Sequence, residues 1–390
     1  MRSFVVITAV CLGLVCGVFA LGIMYGMVNQ RVRSIIQDEV SHIQIHNPSF
    51  SENYEMEYAV QGADTLLEQL QNNTQVVSVC SRLRLQGMAS TAAVGTGVTI
   101  LGVDPVLEAK VTGIHNRLTQ GTYLVGKRNP MVISQRLADK LKVKLRSKIV
   151  ITLQTLHGDM TYGAFRVVGI FKTSNSAFDK GNVFVNKRDL AKITGFMPRQ
   201  AHELALMLHS MDDVNTVQSQ LQSNYPSVQV QSWKQIQPDL AMITQFMAQS
   251  SLFFLSIILL ALGFAIVNTM LMVVLERRRE LGMLMAIGMT PRRVFVMIIT
   301  ESVMLCLVGG IIGLAFSWML IEYFAHVGID LSAFADGFES VGYSAMVYPE
   351  LSGQWFFIIA VMVVGMGVGG AVYPAFKGVR TQVARAMRGE

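Results

Sequence analysis

Four stretches almost free of charge set the limits on what this chain can fold into. Ser3 to Gln30, Leu240 to Leu275 and Leu351 to Phe376 contain no Asp, Glu, Lys or Arg, and Val294 to Ile321 contains only Glu301. A helix needs about 20 apolar residues to cross the hydrocarbon of a bilayer, and each stretch is long enough. Backbone amides in lipid must be satisfied within their own segment, so each is predicted to be helical. The expected spans are 4–27, 250–275, 294–321 and 353–375. The first is expected to be an anchor, because it is too long for a signal-peptide core and lacks an A-x-A site before charged residues. Composition agrees: 52% of the 390 residues are hydrophobic and only 15% charged, against about a quarter in a soluble domain. The fold class expected is an integral membrane α-helical protein with four transmembrane helices and a large extracytoplasmic α+β domain between the first two.

Basic residues orient it. Arg277, Arg278, Arg279, Arg292 and Arg293 lie between the second and third runs, and Lys377, Arg380, Arg385 and Arg388 follow the last. Glu322 to Glu350 holds no Lys or Arg but carries Asp330, Asp336 and Glu339. The positive-inside rule therefore predicts cytoplasmic termini and an extracytoplasmic region from about 31 to 249. Membrane-flanking arginines account for much of the net charge of +6, which calls for no nucleic acid.

The expected organisation is a first helix (1–30), an outer domain (31–249) and a permease domain (250–390). Cys80 is the only cysteine of the outer domain, so that domain is expected to fold without a disulfide framework. "SHIQIH" (41–46) alternates as a strand, "GADTLLEQLQNN" (62–73) has helical spacing, and "VVSVCSRLRLQG" (76–87) returns to strand. The order recurs in "ELALMLH" (203–209), "MDDVNTVQSQLQSN" (211–224) and "SVQVQSW" (227–233). Two β-α-β halves, about 31–90 and 201–240, predict a split α+β sandwich. A β-rich insert with Gly, Asn and Asp turns occupies about 91–200.

Signs of catalysis are weak. "GTYLVGKR" (121–128) has phosphate-loop spacing but puts Arg128 where magnesium needs Ser or Thr, and Asn129-Pro130 follows. It is expected to be a turn. His42 and His46 flank Gln44 on one strand face without a neighbouring Cys, Asp or Glu, which favours packing over zinc. No Ser-His-Asp signature occurs, and the acidic residues form no paired motif. The 24 methionines sit mostly in or beside spans, as gap-fillers.

The segment "LERRRELGMLMAIGMTPRRV" (275–294) carries more information. Leu281, Leu284, Met285 and Gly288 fall on one helix face, Gly288 is placed to end the helix, and Thr290-Pro291 to begin the next. Gly282, Ala286 and Gly288 keep one side thin enough for another backbone to approach. This pattern predicts a short docking helix rather than a simple anchor. Glu301, about 12 Å along the helix from Arg293, is expected to snorkel or to pair with an arginine rather than carry protons. The pairs Gly13/Gly17, Gly22/Gly26 and Gly365/Gly369 suit close packing, within the subunit or between two copies.

The run "NTMLMVVLERRRELGMLMAIGMTPRRVFVMIITESVMLCLVGGIIG" (268–313) resembles the FtsX-like permease domain of ABC transporters, the family of macrolide exporters and lipoprotein-releasing permeases. "LGVDP" (101–105), "LTQGTYL" (118–124), "VISQRLADKLKV" (132–143) and "FRVVGIFKTSNSAFDKGNVFVN" (165–186) look like its MacB-like extracytoplasmic domain. "SWKQIQPDL" (232–240) and the tail 373–390 agree as well. Two departures are Arg146-Ser147, where many relatives have Gly-Asp, and a start almost directly at the first span, without the usual short amphipathic helix.

The resemblance implies a bacterial inner-membrane permease with a periplasmic domain and no cofactor in this chain. ATP and magnesium would belong to a dimeric cytoplasmic ABC ATPase. A coupling helix would seat on that partner, with Glu276, Arg278, Glu280, Leu281, Gly282, Met285, Ala286 and Gly288 making or bordering the contact. Other implied partners are a second permease copy or paralogue, a periplasmic carrier or adaptor, and membrane lipid. Three functions fit: release of lipoprotein or other amphiphilic cargo, drug or peptide efflux through an adaptor, and mechanotransmission to a cell-wall hydrolase. "RSIIQDEVSHIQIHNPSF" (33–50) looks closest to the lipoprotein-release branch. Lipid-anchored cargo would need a lateral opening, expected between Met24, Tyr25, Met27 and Val28 of the first span and Met242, Phe246, Met247, Phe253 and Phe254 of the second.

Overall fold

The computed structural model describes residues 2–50, 55–126, 128–197 and 199–380. They divide into two compact units, one of Met1–Asn29, Ile243–Leu331 and Met346–Glu390, the other of Gln30–Met242 and Ser332–Ala345.

Four helices long and apolar enough to cross a membrane are present among the described residues. They begin as Arg2–Ile35, Pro238–Glu276, Pro291–Val327 and Gly353–Val379. The second starts well before the apolar run expected from 250, because no breaker interrupts the sequence after Pro238. Glycines allow close approach around a ring of helices. A Cβ at Gly13 or Gly17 of the first helix would meet Leu262 or Ile258 of the second, and one at Gly313 of the third would lie 3.2 Å from the Cys11 backbone. Gly367 faces Cys306 of the third helix and Gly370 faces Ile266 of the second, which closes the ring through the fourth. Ser302 Oγ, fully buried there, donates to the Gly367 carbonyl at 3.0 Å. Gly22 and Gly26 also pack within the unit, whereas Gly365 and Gly369 face open space.

The outer unit holds strands β1 (Ile43–His46), β2 (Val76–Ser90), β3 (Gly95–Val103), β4 (Leu118–Gly121), β5 (Pro130–Ser134), β6 (Lys148–Gln154), β7 (Met160–Phe171), β8 (Asn182–Asn186), β9 (Glu203–Leu208) and β10 (Gln229–Ser232). The two β-α-β halves interleave in the antiparallel order β10-β1-β9-β2, with helices Ala63–Gln71 and Val214–Asn224 packed on it. That is the split α+β arrangement expected from the repeated strand–helix–strand pattern. β2 is 15 residues long and continues into the insert. There β2 pairs β3, β3 pairs β8, β8 pairs β5, β5 pairs β7, β7 pairs β6, and β6 returns to β2. The insert is therefore a closed six-stranded barrel. Its alternate residues, including Leu85, Ile100, Ile133, Ile151, Phe165 and Val185, fill the interior. The phosphate-loop look-alike begins in β4 and turns at Gly121 (φ +83°); Lys127 lies outside the described residues.

Candidate functional site

The segment after the second membrane helix forms a sharp elbow. The second helix ends at Glu276, a nine-residue helix runs Arg278–Ala286, and the third begins at Pro291. Gly288 has φ +106°, and the Met289 N–H donates to the Leu284 carbonyl at 3.0 Å. Such a left-handed residue ends a helix at low cost only as glycine. Thr290 stands at the cap position, but its side chain makes no capping bond. Arg277 locks the elbow: its Nε donates to Glu280 at 2.9 Å and its Nη1 lies 3.2 Å from both oxygens of Glu301. The intramembrane carboxylate is thus paired with an arginine, as its position near the arginine-rich segment suggests.

The short helix turns part of the expected contact set inward and leaves Glu276, Glu280, Ala286 and Gly288 exposed. Leu281 is only 4% exposed and Gly282 is also buried, and Leu281 and Met285 pack against the core of the membrane unit. Apolar helical spacing records burial against the nearest core, and here that core is the chain's own helices. The open face instead carries Met283 at 58% and Ile287 at 79% exposure, together with Glu276, Arg279, Glu280, Ala286 and Gly288. Arg278 is half-buried. Sequence reading does not pick out Met283 and Ile287, because the periodicity cannot tell an inward stripe from an outward one.

The expected lateral opening is resolved unevenly. Met247 and Val28 are buried, and the Tyr25 ring lies 5.5 Å from Trp355 of the fourth helix. Met24 and Met27 are half-buried. Met242, Phe246, Phe253 and Phe254 are exposed on the second helix. Met242, Phe246 and Phe253 share a face with Leu260 and Phe264, both also exposed. An apolar groove of ≈ 450 Å³ begins on that face, between Leu260 and Phe264 of the second helix and Met362 and Met366 of the fourth.

A charged cluster in the outer unit has no local signature in the sequence. Arg82 on β2 and Glu203 on β9 are register partners, and Arg82 Nη1 lies 2.5 Å from Glu203 Oε1. Glu108, on the helix Pro105–Val111, accepts from Arg82 Nε at 2.9 Å and Nη2 at 2.8 Å. All three are almost fully buried. Burial alone would raise the Glu203 pKa, but Arg82 outweighs it and holds the carboxyl below its ordinary range. Beside this cluster a polar cavity of ≈ 470 Å³ is lined by Arg31, Glu39, Arg84, Asn175 and Glu203 among others. Asn175 Nδ2 donates to Glu39 at 2.7 Å, and Arg31 Nη1 is 3.9 Å away. Only the fold brings these residues together, since Arg82 and Glu203 are 121 positions apart.

His42, His46 and His202 are buried and hydrogen-bonded within the outer unit. His42 Nδ1 accepts from the Leu208 N–H at 2.9 Å, and His46 Nε2 lies 3.0 Å from Gln44 Oε1. His202 stacks on Phe50 with ring centres 4.8 Å apart, and its nitrogens meet the Met56 carbonyl and the Arg84 N–H. Burial pushes its pKa down to about 4. Among the described residues no group of three or more His, Cys, Asp or Glu is placed to hold a metal.

Residues 3–224 match the MacB-like periplasmic core domain, and residues 252–383 match the FtsX-like permease C-terminal domain. The chain belongs to the FtsX-like, MacB-type family of ABC transporter permeases. It is 20% identical to the lipoprotein-releasing system transmembrane protein LolC of Neisseria meningitidis, over 100% of this chain and 95% of that protein. LolC of Xylella fastidiosa is 24% identical over 74% of this chain and 72% of its own length. The uncharacterized permease MJ1507 of Methanocaldococcus jannaschii is 27% identical over 58% of this chain, which spans 55% of that relative. A 56-residue match to the macrolide export ATP-binding/permease protein MacB of Chromobacterium violaceum is 46% identical but spans 14% of this chain and 9% of that protein. Among solved structures, the periplasmic region of MacB from Actinobacillus actinomycetemcomitans is 11% identical, covering 55% of this chain and 97% of that one, with a TM-score of 0.37.

Proposed function

We propose that this permease is the membrane subunit of an ATP-driven transporter that takes lipid-anchored or other amphiphilic cargo from the outer leaflet. In this reading its termini and elbow lie in the cytoplasm of a bacterial inner membrane and its outer unit in the periplasm. ATP and magnesium are handled by a separate dimeric ATPase, so this chain is not itself an enzyme and holds no cofactor. A second permease copy or paralogue completes the membrane part, and a periplasmic carrier or adaptor receives the cargo. The similarity to LolC from end to end carries the choice of cargo. Support for the ATPase contact comes from Met283 and Ile287, two exposed apolar side chains on an arginine-bounded helix. Large apolar residues left open at the end of a short, well-fixed helix suit a groove on a partner.

The cargo path draws support from the exposed stripe of the second helix and the groove it borders. Both are apolar and methionine-lined, and they offer adaptable surface to acyl chains. A photoreactive residue at Phe246, which is 68% exposed, tests this. Assembled with an ATPase that binds but cannot hydrolyse ATP, it is expected to capture a lipoprotein in cells. Adducts only with phospholipid would overturn the cargo assignment. Capture of a drug or peptide would point to efflux, and a cell-wall hydrolase linked to the outer unit would point to mechanotransmission.

A further inference from the structure

On one side the sheet of the outer unit ends at β10, which pairs with β1. The Trp233 N–H donates to the His42 carbonyl at 3.0 Å. Backbone groups alternate in direction along an antiparallel ladder, so 229, 231 and 233 turn theirs toward β1 and 228, 230 and 232 turn theirs outward. Such an outward row of N–H and C=O groups is a template for another strand. Proteins commonly blunt it with a lysine, a proline or a bulge. "SVQVQSW" (227–233) has no charged residue and no proline, and the Val228 and Val230 side chains are buried. An uncharged, β-prone edge of this kind pairs readily with its own copy.

Glutamine side chains occupy the edge instead. The helix Val214–Asn224 packs on the sheet through Val214, Val217 and Leu221. Gln218 and Gln222 follow Val214 at intervals of four and form the ridge beside that buried stripe. Four helical residues advance about 6 Å, and two strand residues advance about 6.6 Å. Arms one helical turn apart therefore meet outward groups two residues apart. Gln222 Oε1 accepts from the Val230 N–H at 2.9 Å, and its Nε2 donates to the Val228 carbonyl at 2.9 Å. Gln218 Nε2 donates to the Val230 carbonyl at 3.0 Å and to Gln235 Oε1 at 2.7 Å. Gln235, on the helix Trp233–Ile236, accepts from the Ser232 N–H at 3.1 Å. The Val228 carbonyl, both groups of Val230 and the Ser232 N–H are thus all taken by carboxamides. A carboxamide is the side-chain counterpart of a peptide group, so the arms make the bonds that an added strand would make. They border an open polar groove of ≈ 510 Å³ with Asn215, Ser219 and Ser223, through which a strand can approach.

We propose that Gln218, Gln222 and Gln235 guard this edge. With the arms in place β10 takes no further strand, and with them displaced it pairs with β10 of a second copy of this chain. Two copies of one edge meet about a two-fold axis, each offering the other the same uncharged row. Unlike a proline, a glutamine arm can swing away, so the closure is reversible. The guard lies within the outer unit and does not rest on the transport reading.

Residue-resolved hydrogen exchange and a peptide probe test it on the full chain in nanodiscs. Gln218→Met with Gln222→Met removes both carboxamides and keeps the aliphatic length and the helix propensity. Loss of its hydrogen bond should speed exchange of the Val230 amide about tenfold, while the amides of 229 and 231, which face β1, stay protected. A fluorescent peptide with the sequence of 227–233 stands in for the edge of a second copy. It is expected to bind the double variant at least tenfold more tightly than the unaltered chain, and its backbone-N-methylated form should bind neither. Gln222→Met alone should speed Val230 exchange in the same direction without moving the melting temperature, and it carries both measurements if the double variant does not fold. Unchanged exchange at Val230 would overturn the contact. Faster exchange with no gain in peptide binding would overturn the guard and leave the glutamines as caps of a single strand.

Discussion

The two short segments that follow the second and third membrane helices settle in opposite ways. The arginine-rich one turns back on its own unit, where Arg277 holds Glu280 and Glu301 and Leu281 is buried among the membrane helices. The one without Lys or Arg leaves its neighbours and joins the outer unit, held by Glu339 to Arg136 and Lys172. Each segment goes where its charge finds a partner. The first still exposes Met283 and Ile287, whereas the second has its acidic group already engaged. Phe334 and Val341 of the second are exposed as well, so the difference lies in which unit each segment joins.

The largest expected difference is one of side. Cysteines replacing Asp336 and Arg279, both exposed, should label oppositely with an impermeant thiol reagent on intact spheroplasts. Strong labelling at 336 and none at 279 is expected, and the reverse would invert the orientation. Next comes the inward–outward division of the elbow helix. Leu281→Asp buries an unpaired carboxylate and should cost roughly 3 kcal/mol or more, seen as lost folded protein by size exclusion. Met283→Asp with Ile287→Asp should leave thermal stability almost unchanged and weaken co-purification of the ATPase at least tenfold. Equal loss of stability in the two would erase the distinction.

Acid should act on the outer unit through His202. Its folded pKa of about 4 lies below the ordinary value of 6.5. Between these values the unfolded chain binds more protons, so stability is full above pH 6.5, falls as pH drops toward 4, and changes no further through this group below that. The span corresponds to roughly 3 kcal/mol. The pKa values of Glu39 and Asp179, raised by burial to about 7 and about 6, give slopes of the opposite sign, so the check is a difference. The melting temperature of the full chain, followed by an outer-unit probe, should fall relative to that of His202→Gln as pH drops from 6.5 to 4. The smallest effect belongs to Glu301→Gln. Its pair with Arg277 is partly exposed, at 43% and 36%, so the loss should be about 0.5–1 kcal/mol. Looser elbow geometry should show in a spin-label distance across 277 and 301 before it shows in stability.

Legibility followed the range of the interaction. Spans, the elbow at Gly288 to Pro291 and the strand–helix–strand repeats are written in neighbouring residues, and all of these are present. The closed barrel is not, because β6 must find both β2 and β7, and alternation alone names no partner. Arg82 looks like an ordinary residue of an alternating strand until Glu108 and Glu203 are folded around it. Leu281, Leu284, Met285 and Gly288 are legible as one helix face, yet a stripe's period says nothing about which neighbour it meets.

By itself the sequence determined which segments enter lipid, where the elbow bends and that the outer domain is built from two like halves around a β insert. These follow from local facts: hydropathy over a span, glycine at a left-handed turn, and the periods of helix and strand. Tertiary structure alone decided the inward turn of Leu281, the burial of Arg82 between two glutamates and the capture of 332–345 by the outer unit. Each of those is a choice among distant partners. Such a choice is made by burial and charge pairing in three dimensions, and it leaves no trace in the order of nearby residues.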